Sequence, residues 1–321
     1  MNALRWTLTL AVLFAGTICA HANYPDRPIR IIVGFAAGGA TDILARAVGE
    51  SLHRQFGQPV IIENKPGANA RIAAELVAKA PADGYTLTVA TVGALAIGVH
   101  IPPKPNYDTL RDFAPIGLLA VNDGVLLVKN DFPAKDFQEF VKLLKQSPGK
   151  FGFGTSGFAS PTHLAGELLK RTAGIDMHHI PYKGDAQALA DLVGGHLDIG
   201  LLVMASASGQ VKSGGVRALA ALGSERMKDF PNLKTVAEMG FPGYSGGSWI
   251  GLLAPAGTPP DIISKLSEAL RRLSSEPEFI KTMETSGSRP AYNTPIEFGA
   301  YIKTEWDRWG AVIRETNMKG E

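Results

Sequence analysis

The sequence predicts an α/β protein with two lobes, the first of which is discontinuous along the chain. Three observations support this prediction. Apolar runs of strand length alternate with segments of helical period from about residue 30 onward, as in parallel sheets covered by helices. Extended segments at residues 116–128 and 249–254 have the character of passages between lobes. With 321 residues, the chain is also long enough for two hydrophobic cores.

The first 22 residues have the pattern of a secretory signal peptide. Arg5 supplies the positive charge, residues 8–15 form a short apolar core, and residues 20–22 fit an A-x-A cleavage site. The apolar run is too short to span a bilayer. We therefore expect export to the periplasm and a mature chain that begins at Asn23.

Composition excludes several classes of function. Cys19 is the only cysteine and lies in the signal, so disulfides, thiol catalysis and a cysteine-rich zinc site are excluded from the mature chain. Removing Arg5 lowers the basic residues from 32 to 31, against 30 acidic residues. Since no basic block is present, no nucleic-acid partner is expected. The histidines show no metal-binding spacing, and we expect neither a metal nor a cofactor.

The first candidate site is a strand–loop–helix unit near the start of the mature chain. Residues 31–33 form an apolar run, residues 36–40 have no side chain larger than methyl, and a helical period begins at Thr41. The free N–H groups at such a helix start favour a carboxylate or phosphate. However, similar units in α/β proteins often bind nothing, and the P-loop and Rossmann patterns are absent. Asp42 is expected either as a surface acid that complements the helix dipole or as a ligand contact.

The rest of the first lobe continues the alternation. Strands are predicted at residues 60–63 and 85–90, with a helix at 72–80 between them. Residues 91–94 form a second loop of small residues. Amphipathic helices at residues 262–273 and 298–313 are expected to close this lobe, with the aromatic residues of the last helix packed in the core.

The second lobe has a comparable loop at residues 154–163, between a predicted strand and a predicted helix. Ser160 before Pro161 is a good helix cap, whereas Thr155 and Ser156 are the expected ligand donors. His163 falls in the first helical turn, where a structural hydrogen bond is expected and protonation is disfavoured.

Six segments together resemble the Bug-type substrate-binding proteins of tripartite tricarboxylate transporters: NYPDRPIRIIVGFAAGGATD, VIIENKPGAN, APADGYTL, SPTHLAGELLKR, HHIPYKG and GLLAPAGTP. The resemblance covers nearly the whole mature chain. It implies a periplasmic-binding-protein fold of type II (Venus flytrap), with two mixed or parallel sheets flanked by helices. With the two passages between lobes, lobe 1 is predicted at residues 23–121 and 254–321, and lobe 2 at residues 122–253.

The resemblance also implies capture of a small carboxylate between the lobes for delivery to membrane permease subunits. The chain is expected to act as a monomer and not as an enzyme. The implied binding residues are Phe35, Ala37, Gly38, Gly39, Ala40, Thr41, Thr91, Val92, Gly93, Thr155, Ser156, Gly157 and Ser160, and Val203 is expected to join them as an apolar wall.

The sequence departs from the family pattern at residues 201–203. Relatives commonly carry an aspartate or asparagine near this position, but here the segment is apolar. An amino-acid ligand would lose the partner of its ammonium group. The expected ligand is therefore a carboxylate with an apolar body, with Phe35, Phe158 and Val203 available as walls. The alternative is that residues 201–203 only fill a core.

Two other functions are compatible with parts of the sequence. An extracytoplasmic sensor that passes its ligand-bound form to a signalling receptor would use the same fold. A secreted hydrolase is suggested only by residues 243–247, which fit G-x-S-x-G. A nucleophile elbow needs a strand before Ser245 and a helix after it, and neither is predicted. A connector between elements is the favoured interpretation of this motif.

Overall fold

A computed structural model describes residues 24–285, 288–316 and 318, so the predicted signal peptide lies outside the described residues. Eleven strands are present in the described part of the chain, in two mixed sheets flanked by helices, which confirms the predicted fold class. The strands are β1 (Ile29–Val33), β2 (Val60–Asn64), β3 (Thr86–Thr91), β4 (Phe113–Asn122), β5 (Gly124–Val128), β6 (Gly152–Thr155), β7 (His178–Pro181), β8 (Ile199–Val203), β9 (Arg217–Ala221), β10 (Ser248–Pro255) and β11 (Arg289–Pro290).

The helices cover the two sheets. They are α1 (Ala40–Phe56), α2 (Arg71–Ala78), α3 (Phe137–Gln146), α4 (Pro161–Ala173), α5 (Asp185–Val193), α6 (Met204–Ser213), α7 (Pro260–Leu273), α8 (Pro277–Thr285) and α9 (Pro295–Glu315). Short 3-10 turns lie at Ala68–Ala70 and Ala237–Met239, and a π-helical turn lies at Gly93–Ile97. Among the described helices, none is long and apolar enough to cross a bilayer.

The first sheet has the strand order β11-β4-β10-β3-β1-β2. β1 pairs in parallel with β2 and β3, and β10 runs antiparallel between β3 and β4. All of β1 except Arg30 is fully buried, because helices cover both faces of the sheet. The carboxyl ends of β1 and β3 therefore place the two small-residue loops at the same edge.

The second sheet has the order β7-β6-β8-β5-β9. The chain passes from the first sheet to the second at Asp123, between β4 and β5. It returns through residues 222–247, because all of β10 belongs to the first sheet. The predicted lobe limit at residue 253 therefore falls inside a central strand of lobe 1. The apolar run at residues 249–254 fits that position, since β10 is buried along nearly its whole length.

Two helices were not predicted from sequence. The segment of α6 follows β8 directly and is composed mainly of small and polar residues, so it gives little helical periodicity. α8 is short and follows α7 closely. The expected core role of the aromatic residues in α9 is confirmed at Trp309, which is fully buried, while the ring of Tyr301 packs 6.0 Å from that of Trp249 in β10.

Candidate functional site

A cleft of about 900 Å³ lies where the loops of both sheets meet. Its first-lobe wall contains Phe35, Thr41, Thr91 and Gly93 from the predicted set, together with residues that were not predicted. Its second-lobe wall contains Ser156, Gly157 and Ser160 from the predicted set. The other lining residues are Ala68, Asn69, Arg71, Gly98, Ile101, Pro102, Pro103, Asn122, Phe158, Ala159, Pro161, Pro181, Tyr182, Lys183, Ser248 and Ile250.

The first loop, residues 34–39, ends in the N-terminus of α1. Gly39 is the N-cap and supplies no side-chain cap, while its carbonyl accepts the Ile43 N–H at 2.9 Å. Residues 37–40 are exposed and lie beside the cleft rather than among its lining residues. Thr41, in the first helical turn, does line it. The N–H groups of this turn have no acceptor within the helix, and they supply partial positive charge.

Asp42 is buried, with 1 % of its surface exposed, so the expectation of a surface acid is wrong. Its carboxylate accepts the Gly38 N–H at 2.9 Å, Nδ2 of Asn64 at 2.8 Å and Nε of Arg46 at 2.8 Å. Burial raises the pKa of Asp42, but the hydrogen bonds from Arg46, Gly38 and Asn64 outweigh burial and lower it to about 2. The Gly38 N–H is thus occupied by the protein's own carboxylate, and anion binding must rely on the other donors.

Asn69 and Arg71 enter the cleft over the π-helical turn that follows β3. A Cβ atom at Gly93 would lie 2.8 Å from Nδ2 of Asn69, and one at Gly98 would lie 3.1 Å from Cδ of Arg71. These two glycines therefore leave the space that the larger side chains occupy. Gly93 was predicted as a binding residue and does line the cleft. The sequence did not indicate that its lack of a side chain also lets Asn69 approach closely.

The turn before α2 has an unusual backbone. Ala68, Asn69 and Ala70 have φ values of 47°, 52° and 68°, in the left-handed region that non-glycine residues rarely adopt. Each such residue costs on the order of 1 kcal/mol or more. The surrounding contacts hold this conformation, including the bond from Nε of Arg71 to the Ala68 carbonyl at 3.0 Å. The turn fixes the direction in which Asn69 and Arg71 leave the backbone.

In the second lobe, the capping role of Ser160 is confirmed, because its Oγ accepts the His163 N–H at 3.2 Å. Thr155 is fully buried, and its Oγ1 lies 2.7 Å from Nε2 of His179. The hydroxyl of Thr155 is therefore engaged inside the lobe, which differs from its predicted role as a ligand donor. Ser156 and Gly157 remain at the cleft surface.

A stacked pair of imidazoles supports this loop from behind. The rings of His163 and His179 lie 3.5 Å apart with an interplanar angle of 9°. Nδ1 of His163 accepts the Ala159 N–H at 3.1 Å, so the expected structural hydrogen bond is confirmed. Burial lowers the pKa of His163 to about 3, aided by charge repulsion from His179 and Lys170. Burial and Lys170 lower the pKa of His179 to about 4.

Val92 and Val203, like residues 37–40 and Thr155, are predicted binding residues that lie outside the cleft lining. Val92 is fully buried in the first-lobe core. Val203 ends β8, and its N–H donates to Oδ2 of Asp185 at 3.3 Å. Burial raises the pKa of Asp185, which is not among the lining residues.

Among the described residues, the charged side chains that line the cleft are all positive. Arg71 and Lys183, from opposite lobes, are its two cations, and no aspartate or glutamate belongs to the lining described in the structure. Phe35, Phe158 and Ile250 supply apolar surface. The cleft can therefore accept an anion with an apolar body, while an ammonium group has no carboxylate to pair with.

Sequence reasoning missed Asn69, Arg71, Tyr182 and Lys183. Residues 64–69, NKPGAN, are rich in turn-forming residue types and so indicate irregular backbone, but nothing local indicates that the chain returns to the cleft there. Tyr182 and Lys183 belong to the HHIPYKG segment, which served only to support the resemblance. The available signal was that Tyr182 and Lys183 directly follow a strand, which ends at Pro181.

The G-x-S-x-G segment lies in the loop between the 3-10 turn at Ala237–Met239 and β10. Ser245 is followed by a strand and not by a helix, which confirms the predicted context. Tyr244 is buried and donates to the Ala165 carbonyl at 2.9 Å. This loop is a packed connector between the sheets.

Two lobes that each present a strand–loop–helix turn to a shared cleft have the architecture of a two-lobed solute-binding protein. The chain belongs to the TctC family, whose model, described as the tripartite tricarboxylate transporter family receptor, matches residues 44–318. Protein BugT of Bordetella pertussis is 34% identical over 324 residues, covering 99% of both chains.

Solved structures agree with this assignment. An R. palustris protein solved with adipate is 31% identical, with a TM-score of 0.75, and the match covers 91% of this chain and 98% of that one. MatC from Rhodopseudomonas palustris, solved with bound malate, is 32% identical, with a TM-score of 0.71 and coverage of 90% and 100%.

Proposed function

We propose that this chain captures a small carboxylate with a mainly apolar body in the cleft between its lobes. The observation that carries the proposal is the charge of the described lining, which contains Arg71 and Lys183 but no acidic side chain. The free N–H groups at the start of α1 and the hydroxyls of Thr41 and Ser156 add neutral donors. Such donors hold a carboxylate by charge-assisted hydrogen bonds.

The ligands of related proteins support the same class. Adipate and malate, found with the two R. palustris proteins, are both carboxylates. The aromatic and aliphatic walls at Phe35, Phe158 and Ile250 favour a ligand whose body is apolar. Val203 lies outside the lining, so the apolar-body proposal rests on these three residues.

Closure of the second lobe over the bound ligand would complete the site. The single residue between β4 and β5, Asp123, and the loop before β10 are the segments that can bend. We propose that the exported chain acts in the periplasm and presents its closed form to a tripartite tricarboxylate-type permease. A ligand that contacts both lobes stabilises the closed form because it binds that form better.

Calorimetry on residues 23–321 tests the ligand class. Adipate, benzoate and terephthalate are compared with aspartate and glutamate at equal concentration. Binding of one or more of the apolar-bodied acids, with weaker binding of both amino acids, supports the proposal. Tight binding of aspartate or glutamate with no heat from the other acids would overturn it.

The partner is tested by pull-down from membranes with and without ligand. Ligand-dependent capture of permease subunits supports delivery to a transporter, whereas capture of a signalling receptor would assign the chain to sensing. Ester hydrolysis that is lost on Ser245→Ala would contradict a purely binding role.

A further inference from the structure

Arg71 carries a charge that no described carboxylate neutralises. Its Nε donates to the Ala68 carbonyl at 3.0 Å, and its Nη1 donates to the carbonyls of Pro103 at 2.8 Å and Gly98 at 3.3 Å. These acceptors are neutral. Glu75, one turn further along α2, pairs with Lys79 at 2.6 Å. The cleft wall therefore contains a guanidinium with its full positive charge.

The guanidinium is also held in place before any ligand arrives. Its three carbonyl acceptors come from three separate segments, and its stem packs over Gly98. A side chain fixed in this way loses little conformational freedom on binding. The Nη2 group has no hydrogen-bond acceptor among residues 24–285, 288–316 and 318, so its two N–H groups are available to a ligand.

We propose that Arg71 receives a second carboxylate, so that this cleft selects dianionic over monoanionic carboxylates of equal length. This inference rests on the proposed function, in which the first carboxylate binds the donors near Thr41. Asp42 already accepts the Gly38 N–H, so the first loop has fewer donors left for a ligand. Arg71 therefore provides a separate position for the second carboxylate. A ligand with only one carboxylate leaves either Arg71 or the first loop without an anion.

The test compares adipate with hexanoate, which share chain length and differ by one carboxylate. We expect wild type to bind adipate at least about tenfold more tightly. Arg71→Gln removes the charge, so its affinity for adipate should fall about tenfold while its affinity for hexanoate stays within about twofold. Arg71→Lys keeps the charge without the fork geometry and should fall between the two.

Arg111→Gln is the matched control, because Arg111 is an arginine of the same lobe that pairs with Asp112 at 2.8 Å and does not line the cleft. Both ligands should bind it as they bind wild type. Thermal unfolding without ligand checks that each variant folds. If Arg71→Gln does not fold, the salt dependence of wild type provides the contrast, since adipate binding should weaken with salt more steeply than hexanoate binding.

Equal losses of adipate and hexanoate on Arg71→Gln would overturn this inference, as would unchanged adipate affinity. Wild type that binds hexanoate as tightly as adipate would overturn the role of Arg71 but leave the proposed function standing. Wild type that binds no carboxylate at all would overturn both.

Discussion

The stacked histidines behind the second-lobe loop make stability depend on pH in a way that can be calculated. In the unfolded chain an imidazole titrates near 6.5, while the pKa of folded His179 is lowered to about 4 by burial and by Lys170. The unfolded state therefore binds more protons as the pH falls below 6.5. The contribution of His179 to stability is fully present above that pH and is lost as the pH falls toward its folded pKa.

Between pH 7 and pH 5 this loss amounts to about 2 kcal/mol for His179, from about 1.4 kcal/mol per pH unit. His163 adds a loss in the same direction, because burial lowers its pKa further. Glu167 lies 3.9 Å from Nε2 of His163, and the charge of Lys170 reinforces the lowering of the His163 pKa. Protonation of Nδ1 would also remove the acceptor for the Ala159 N–H.

Urea unfolding of wild type and His179→Gln at both pH values measures the effect. Wild type loses about 2 kcal/mol between pH 7 and pH 5 through His179, whereas the variant has no titrating group at this position. The difference in unfolding free energy between wild type and variant should therefore be about 2 kcal/mol smaller at pH 5 than at pH 7. His178→Gln is the matched control, because His178 is the neighbouring residue and is exposed. A deficit of His179→Gln that is equal at the two pH values would refute the reasoning.

Three further substitutions test the loops. Gly39→Leu adds a side chain at φ −78°, where it fits without backbone strain. The leucine should cover the donors of α1 and abolish carboxylate binding while the melting temperature stays unchanged. Unaltered affinity would refute the assignment of the α1 N-terminus as an anion site. Asp42→Ala removes the acceptor of the Gly38 N–H, of one Asn64 amide N–H and of Arg46, so urea unfolding should show a loss of about 2–4 kcal/mol. A loss below about 0.5 kcal/mol would contradict the structural role of this carboxylate. Ser160→Ala removes a helix cap and should cost about 1 kcal/mol with only a modest loss of affinity, and a stability equal to wild type would contradict the capping role.

Local signals were sufficient for much of the fold. The apolar run of β1 and the helical period of α1 are both visible within short windows, and so is the pairing of Ser160 with Pro161 at the start of α4. Each of these features depends on residues within one or two turns of one another. The division into two sheets followed from the order of such elements.

The remaining features depend on contacts between distant segments. Asp42 is buried because Asn64, 22 residues away, reaches its carboxylate. Arg71 enters the cleft because Gly98 and Pro103 accept its hydrogen bonds, 27 and 32 residues further on. Thr155 is engaged because His179 arrives on the neighbouring strand. A sequence window cannot show which of these side chains meet.

A crystal structure of residues 23–321 soaked with adipate shows whether the cleft holds a diacid at two separate anion positions. We expect diacid density in the cleft, with one carboxylate at the first turn of α1 beside Thr41 and the other within hydrogen-bond distance of Arg71. A ligand bound elsewhere, or a cleft filled by the protein's own side chains, would contradict this expectation.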